Sequence, residues 1–229
     1  MTLATENPIL TTEAKPEITI EEGDRKVLDV LPKPVPIDAF LDWYPTDSEF
    51  RYELKEGVII QMPMPRGNHS DVAGFINYEL IFNIRQNKFP YRFPKECMVK
   101  ISENTGYKPD VIILDETQLE SEPRWKSAST IENGRSIKLI VEVVSTNWRD
   151  DYMKKLADYE AMGIQEYWIV DYAGLGGIRF IGTPKQPTLT ICSLVDGEYE
   201  LQLFRGNDAI VSPTFPNLIL TANQVFNAD

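Results

Sequence analysis

The chain has 229 residues, 42% of them hydrophobic and 25% charged, which is enough for one domain with a proper core and short for two. Its formal net charge of −12 argues against a broad basic surface for general nucleic-acid binding, though not against a local basic groove. No stretch approaches the roughly 20 apolar residues of a membrane span, and MTLATENPIL has no basic segment followed by an apolar one, so neither a membrane anchor nor a secretory signal is expected. Cys97 and Cys192 lie far apart without metal-ligand spacing and read as reduced, buried thiols of a cytoplasmic protein.

Residues 1–36 are polar, acidic and proline-bearing, and read as a mobile tail or a strap over the domain; the folded unit is expected from Ile37 to the end at 229. IDAFLDWYPTDSE suggests a short helix with Asp38 as cap. RYELKEGVIIQMP suggests two strands joined by a tight turn at Lys55-Glu56-Gly57. Over residues 69–88, Val72, Phe75, Ile76, Leu80 and Ile84 recur at helical spacing, with Asn68 or Ser70 near the start. YRFPKECMVKI and YKPDVIIL read as strands, 115–135 as a polar loop, 137–144 as an apolar strand, about 149–162 as a helix ending at Gly163, and EYWIVDY as a strand. IRFIGT and PTLTICSLVDGEYELQLF suggest further antiparallel strands, and FPNLILTANQVF a short closing segment. This order gives an α/β, or α+β, fold with a mixed central sheet flanked by helices.

One residue sits badly in that scheme. Leu139-Ile140-Val141-Glu142-Val143-Val144 is apolar at both strand parities, as a central strand covered on both faces should be, and Glu142 interrupts one face. A carboxylate there needs a basic partner or a cation, because removing an unpaired charge from water costs several kcal/mol. Asp110 opens a second apolar strand, after a proline that removes a backbone donor. If the two strands are neighbours, Asp110 and Glu142 converge on one edge of a cleft. A divalent metal is the usual remedy for two close carboxylates, Mg²⁺ favouring one or two of them plus waters. On the following helix Asp151 and Lys155 are four apart and share a face with Tyr159. They form either a solvated ion pair or a lysine leaning into the cleft, where it could orient water or offset phosphate charge.

PDVIIL, LIVEVVS, the helix of form D-x-x-x-K-x-x-x-Y and GIQEYWIVD, together with YELKEG, His69 and FPNLIL, resemble the Uma2 family (DUF820) of endonucleases within the PD-(D/E)XK superfamily, over roughly residues 36–226. The resemblance implies a restriction-endonuclease-like fold and hydrolysis of DNA phosphodiester bonds. It implies a metal site of Asp110, Glu142 and the Val143 carbonyl holding Mg²⁺ or Mn²⁺, with Lys155 replacing the lysine that the superfamily carries two residues after the glutamate, where this chain has Val144. Glu53 of the YEL motif, Asp151 and His69, the only histidine, join the candidate site by the same resemblance. Alternatives are a catalytically idle nuclease-like protein that binds nucleic acid or protein through the same cleft, and a homodimer joined at a sheet edge or aromatic face.

Overall fold

The computed structural model describes residues 18–22, 25–45 and 48–229. In chain order the strands are β1 (Ile18–Glu22), β2 (Arg25–Leu28), β3 (Arg51–Lys55), β4 (Val58–Met62), β5 (Tyr91–Arg92), β6 (Met98–Ser102), β7 (Thr105–Tyr107), β8 (Val111–Asp115), β9 (Thr130–Ile131), β10 (Ile137–Val143), β11 (Glu166–Asp171), β12 (Thr188–Val195) and β13 (Glu198–Phe204). The helices are α1 (Ile37–Trp43), α2 (Gly67–Asn87), α3 (Trp125–Ala128), α4 (Lys155–Met162), α5 (Ile178–Ile181) and α6 (Ala222–Asn227). None of the helices among the described residues is long and apolar enough to cross a membrane.

The strands form two mixed sheets, one of seven in the order β1-β2-β4-β3-β7-β6-β9 and one of six in the order β13-β12-β11-β10-β8-β5. Strand β10 lies inside the second sheet, parallel to β11 and antiparallel to β8, with Val141 opposite both Trp168 and Val111. Its double-sided burial explains its sequence. Leu139, Val141 and Val143 pack with Val72, Ile76 and Leu80 of α2. Ile140 and Val144 face the opposite core, with Tyr159 of α4 and Tyr167 of β11. Glu142 has the parity of Ile140 and Val144, so the pleat points its carboxylate toward α4.

The first sheet reaches back to residue 18, within the segment that the sequence suggests as a tail or strap: β2 pairs with β4, Val27 opposite Ile60. Residues 1–17 of that segment lie outside the described residues. The β3–β4 hairpin turns at Glu56 and Gly57, whose φ angles of 50° and 77° are the left-handed pair that a two-residue turn requires.

Several local expectations are corrected. IRFIGT does not form a strand: Ile178–Ile181 is a single helical turn closed on the Gly177 carbonyl. It cannot pair with the strand that follows it, because β11 and β13 already occupy both flanks of β12. Residues 115–135 are not simply loop, since they hold α3 and β9, the latter parallel to β6. Asp38 does not cap α1; Pro36 holds the cap position and Asp38 pairs with Arg124 at 2.6 Å. Neither Asn68 nor Ser70 caps α2, which starts at Gly67 after Arg66.

Candidate active site

Two strand ends and two helices build the site. Because Val111 lies opposite Val141, the residue just before β8 falls level with the end of β10. Asp110 Oδ2 there accepts the Val143 amide at 2.9 Å. His69, in the first turn of α2, places Nε2 3.0 Å from the Val143 carbonyl and 3.4 Å from Asp110 Oδ2. On the α4 side, Lys155 Nζ donates to Glu142 Oε1 at 2.9 Å and lies 3.3 Å from Glu53 Oε1 and 3.9 Å from Asp151 Oδ1. Tyr159 donates its hydroxyl to the same Glu142 oxygen at 2.9 Å, and the Tyr107 ring lies 5.4 Å from the ammonium.

The helix enters this pocket through an irregular turn. Residues 150–154 are π-helical, and the Lys155 amide bonds to the Asp150 carbonyl five residues back. Such a wide turn changes the face that the following residues present. Here Lys155 is 3% exposed and Asp151 6%, so the pair is not a solvated ion pair. Glu53 comes from the other sheet and is 1% exposed, which excludes a surface charge on a strand edge. Its Oε1 accepts the Lys108 amide at 3.2 Å, while its Oε2 is buried without a hydrogen-bond partner.

The charges are coupled. Burial raises Glu142 to about 7 even with Lys155 beside it, and burial likewise lifts Asp151 well above the usual carboxylate range. Burial pulls Lys155 down, but Glu142, Glu53 and Asp151 outweigh it and hold the ammonium above the ordinary lysine value. Burial would raise Glu53 and Asp110 too. Lys155, Lys55 and Arg25 overcome it for Glu53, and His69, Arg51 and the Val143 amide for Asp110, so both fall below their ordinary values. His69, lowered by burial, is raised more by the hydrogen bond and charge of Asp110.

These groups line a cavity of about 410 Å³. Arg25, Arg51, Arg66, Lys108 and Lys155 there face Glu53, Asp110, Glu142 and Asp151, so the wall is far less acidic than the chain as a whole. The family model described as "Putative restriction endonuclease", Uma2, matches residues 37–223. The chain belongs to the Uma2 family. Among solved structures it is similar to a protein described as a putative nuclease belonging to DUF820 from Anabaena variabilis ATCC 29413, with a TM-score of 0.65 and 19% identity over 85% of this chain and 99% of that one. That likeness shows the fold, a mixed α/β nuclease fold. No curated protein matches this chain.

Within this Uma2 chain the structure gathers Asp110, Glu142, Val143, Lys155, Glu53, Asp151 and His69 around one cavity. Among the described residues no three His, Cys, Asp or Glu side chains form a ready metal cage. The donor set nevertheless fits a hard divalent ion. Two carboxylates and a backbone carbonyl are all oxygen donors, and Asp110 Oδ2 and the Val143 carbonyl already converge on a single group, the His69 ring.

Several contributors were missed in the sequence. Arg25, whose pair with Asp150 brings it to the wall, comes from a strand outside the family match. Arg51 lies 3.6 Å from Asp110. Tyr159 is fully buried, as a core aromatic would be, yet it also holds Glu142. Only the D-x-x-x-K-x-x-x-Y spacing carried a signal for it.

Proposed function

We propose that this protein is a metal-dependent endonuclease that hydrolyses DNA phosphodiester bonds. The observation that carries the reading is the place of Lys155. The superfamily's lysine position is Val144 here, and α4 returns an ammonium to 2.9 Å from Glu142, at the edge of the cavity that also holds Asp110. Restriction-endonuclease-like families generally use divalent metals, which suits the oxygen donors of this site.

Asp110, Glu142 and the Val143 carbonyl would hold Mg²⁺ or Mn²⁺, which when bound supplies an acidified water and positive charge for the phosphate. The chain's own groups divide the remaining work. Lys155 keeps its proton through the neutral range, so it serves as a fixed charge toward water and phosphate and not as a base. Glu53 and Tyr159 position it and Glu142, and the Asp151 carboxyl lies 3.9 Å from the ammonium. Arg51 and Arg25, on the cavity wall, offer guanidinium donors to the phosphate oxygens. His69 orients the Val143 carbonyl and Asp110.

Nicking of supercoiled plasmid tests this directly. The wild-type protein is expected to nick in Mg²⁺ or Mn²⁺ and to stop in EDTA, and Asp110→Asn and Glu142→Gln to be inactive while folded. Nicking that survives both substitutions would refute the reading. A second reading, a homodimer joined at the sheet edge, has one observation in its favour: β13 is an edge strand with Leu201 47% and Leu203 39% exposed. Light scattering separates monomer from dimer.

A further inference from the structure

A second cavity, of about 670 Å³, adjoins the first, and Arg51 and Lys108 line both. It lies between Leu41, Tyr44, Pro45, Ser48 and Phe50 on one side and the residues around Lys95–Met98 and Ser127–Ser129 on the other. Its described lining brings Arg51, Lys95 and Lys108 against Glu96, a local cationic balance in a chain of charge −12.

Of these cations, Arg51 lies beside a candidate metal ligand, its guanidinium 3.6 Å from Asp110 and 3.3–3.4 Å from the Lys108 and Pro109 carbonyls, with Nε buried and without a hydrogen-bond partner. Lys108 has its Nζ 5.0 Å from the Tyr44 ring centre, 3.1 Å from the Tyr44 hydroxyl and 2.5 Å from Glu96. Lys95 is exposed on the wall. Beside them Phe50 is 48% exposed, a large ring left half in water on the wall of a charged groove. The Phe50 amide donates to Ser48 Oγ at 2.9 Å. Several cations beside an exposed aromatic ring suit a nucleic-acid strand whose phosphates follow the charges and whose unpaired base stacks on the ring. A paired base in a duplex offers no free face to such a ring.

We infer that this second cavity seats the nucleotides on one side of the scissile phosphate as a single strand, with phosphates on Arg51, Lys108 and Lys95 and a base stacked on Phe50. This deepens the nuclease reading and rests on it for the place of the scissile bond; the strand-binding surface is testable without cleavage. The test measures fluorescence anisotropy of 5′-fluorescein oligothymidylates of 12 and 3 nucleotides, in EDTA at low salt, with wild type, Phe50→Ala and Lys95→Glu. Both substitutions are on exposed side chains outside the candidate catalytic groups. The 12-mer is expected to bind more tightly than the 3-mer, and each substitution to weaken the 12-mer about tenfold. Hydrolysis of bis(p-nitrophenyl) phosphate in Mn²⁺, which reports the first cavity alone, is expected to be unchanged in both variants. Equal binding of the two lengths, binding unchanged in both variants, or a duplex that binds more tightly and ignores Phe50→Ala would overturn the inference. Wild-type protein that binds the strand as described but neither hydrolyses the small diester nor nicks supercoiled plasmid in Mg²⁺ or Mn²⁺ would overturn the nuclease reading and leave the strand-binding groove standing.

Discussion

Glu142 and Glu166 make an instructive pair. They sit on the neighbouring strands β10 and β11, and both are buried, at 3% and 0% exposure. Glu166 is surrounded by neutral donors: Trp168 Nε1 at 2.5 Å, Ser212 Oγ at 2.7 Å and the Thr214 amide at 2.8 Å. Its carboxylate fastens the C-terminal segment to the sheet, and no cavity opens onto it among those described. Glu142 instead shares one lysine with Glu53 and Asp151 on the wall of a 410 Å³ cavity. A buried carboxylate in a strand is therefore not itself the mark of a site. The mark is charge left over at an opening, which a cation or a phosphate can complete.

This contrast can be broken or sharpened by substitution. The largest expected effect is on chemistry: Glu142→Gln should lower plasmid nicking by roughly 10³-fold or more. Its folding stability should change little, because Lys155 keeps Glu53 at 3.3 Å. A large stability loss with residual nicking would make Glu142 resemble Glu166. Lys155→Met should be the most destabilising change, by roughly 3–5 kcal/mol in urea unfolding, since it leaves Glu53, Glu142 and Asp151 buried without their shared cation. Glu166→Ala should cost about 3 kcal/mol by stranding the Trp168 and Ser212 donors, with nicking by the folded fraction unchanged.

Smaller effects follow. Tyr159→Phe removes one hydrogen bond to Glu142 and should cost about 1–2 kcal/mol. Glu53 adds a pH signature. Its folded pKa lies below the ordinary value of 4.5, so its contribution is complete above that value and lost as pH falls below it. Unfolding midpoints of wild type and Glu53→Gln, compared from pH 6 to pH 3, should therefore converge in acid. Midpoints that stay equally far apart across that range would show that Glu53 is not held as a carboxylate by Lys155.

What could be read beforehand follows the range of each signal. Strand β10, helix α2 and the β12–β13 hairpin were legible, because period-2 and period-3.6 patterns are local to the chain. The convergence of Asp110 and Glu142 was legible as a condition: Pro109 and two apolar runs marked neighbouring strand ends, and β8 does pair with β10. The inward turn of Lys155 was legible only through the family resemblance, because an i,i+4 pair looks the same on a wet face as on a dry one, and the π-turn at 150–154 has no clear residue signature. Arg25 and Glu53 reach the cavity from the other sheet, where no spacing rule connects them to residues 57 to 130 positions away; the YEL resemblance marked Glu53, and nothing marked Arg25. IRFIGT read as a strand for the opposite reason: its local pattern was apolar enough, but Phe180 and Ile181 close a helical turn on the Gly177 carbonyl.

The central claim is that Asp110, Glu142 and the Val143 carbonyl form a seat for one hard divalent ion. Calorimetric titration of Mn²⁺ into wild-type protein and into Asp110→Asn and Glu142→Gln, each checked for an unchanged unfolding midpoint, addresses it most directly. Saturable binding by the wild type that disappears in both variants is the expected result; Mn²⁺ bound equally well by either variant, or no binding by the wild type, would contradict it.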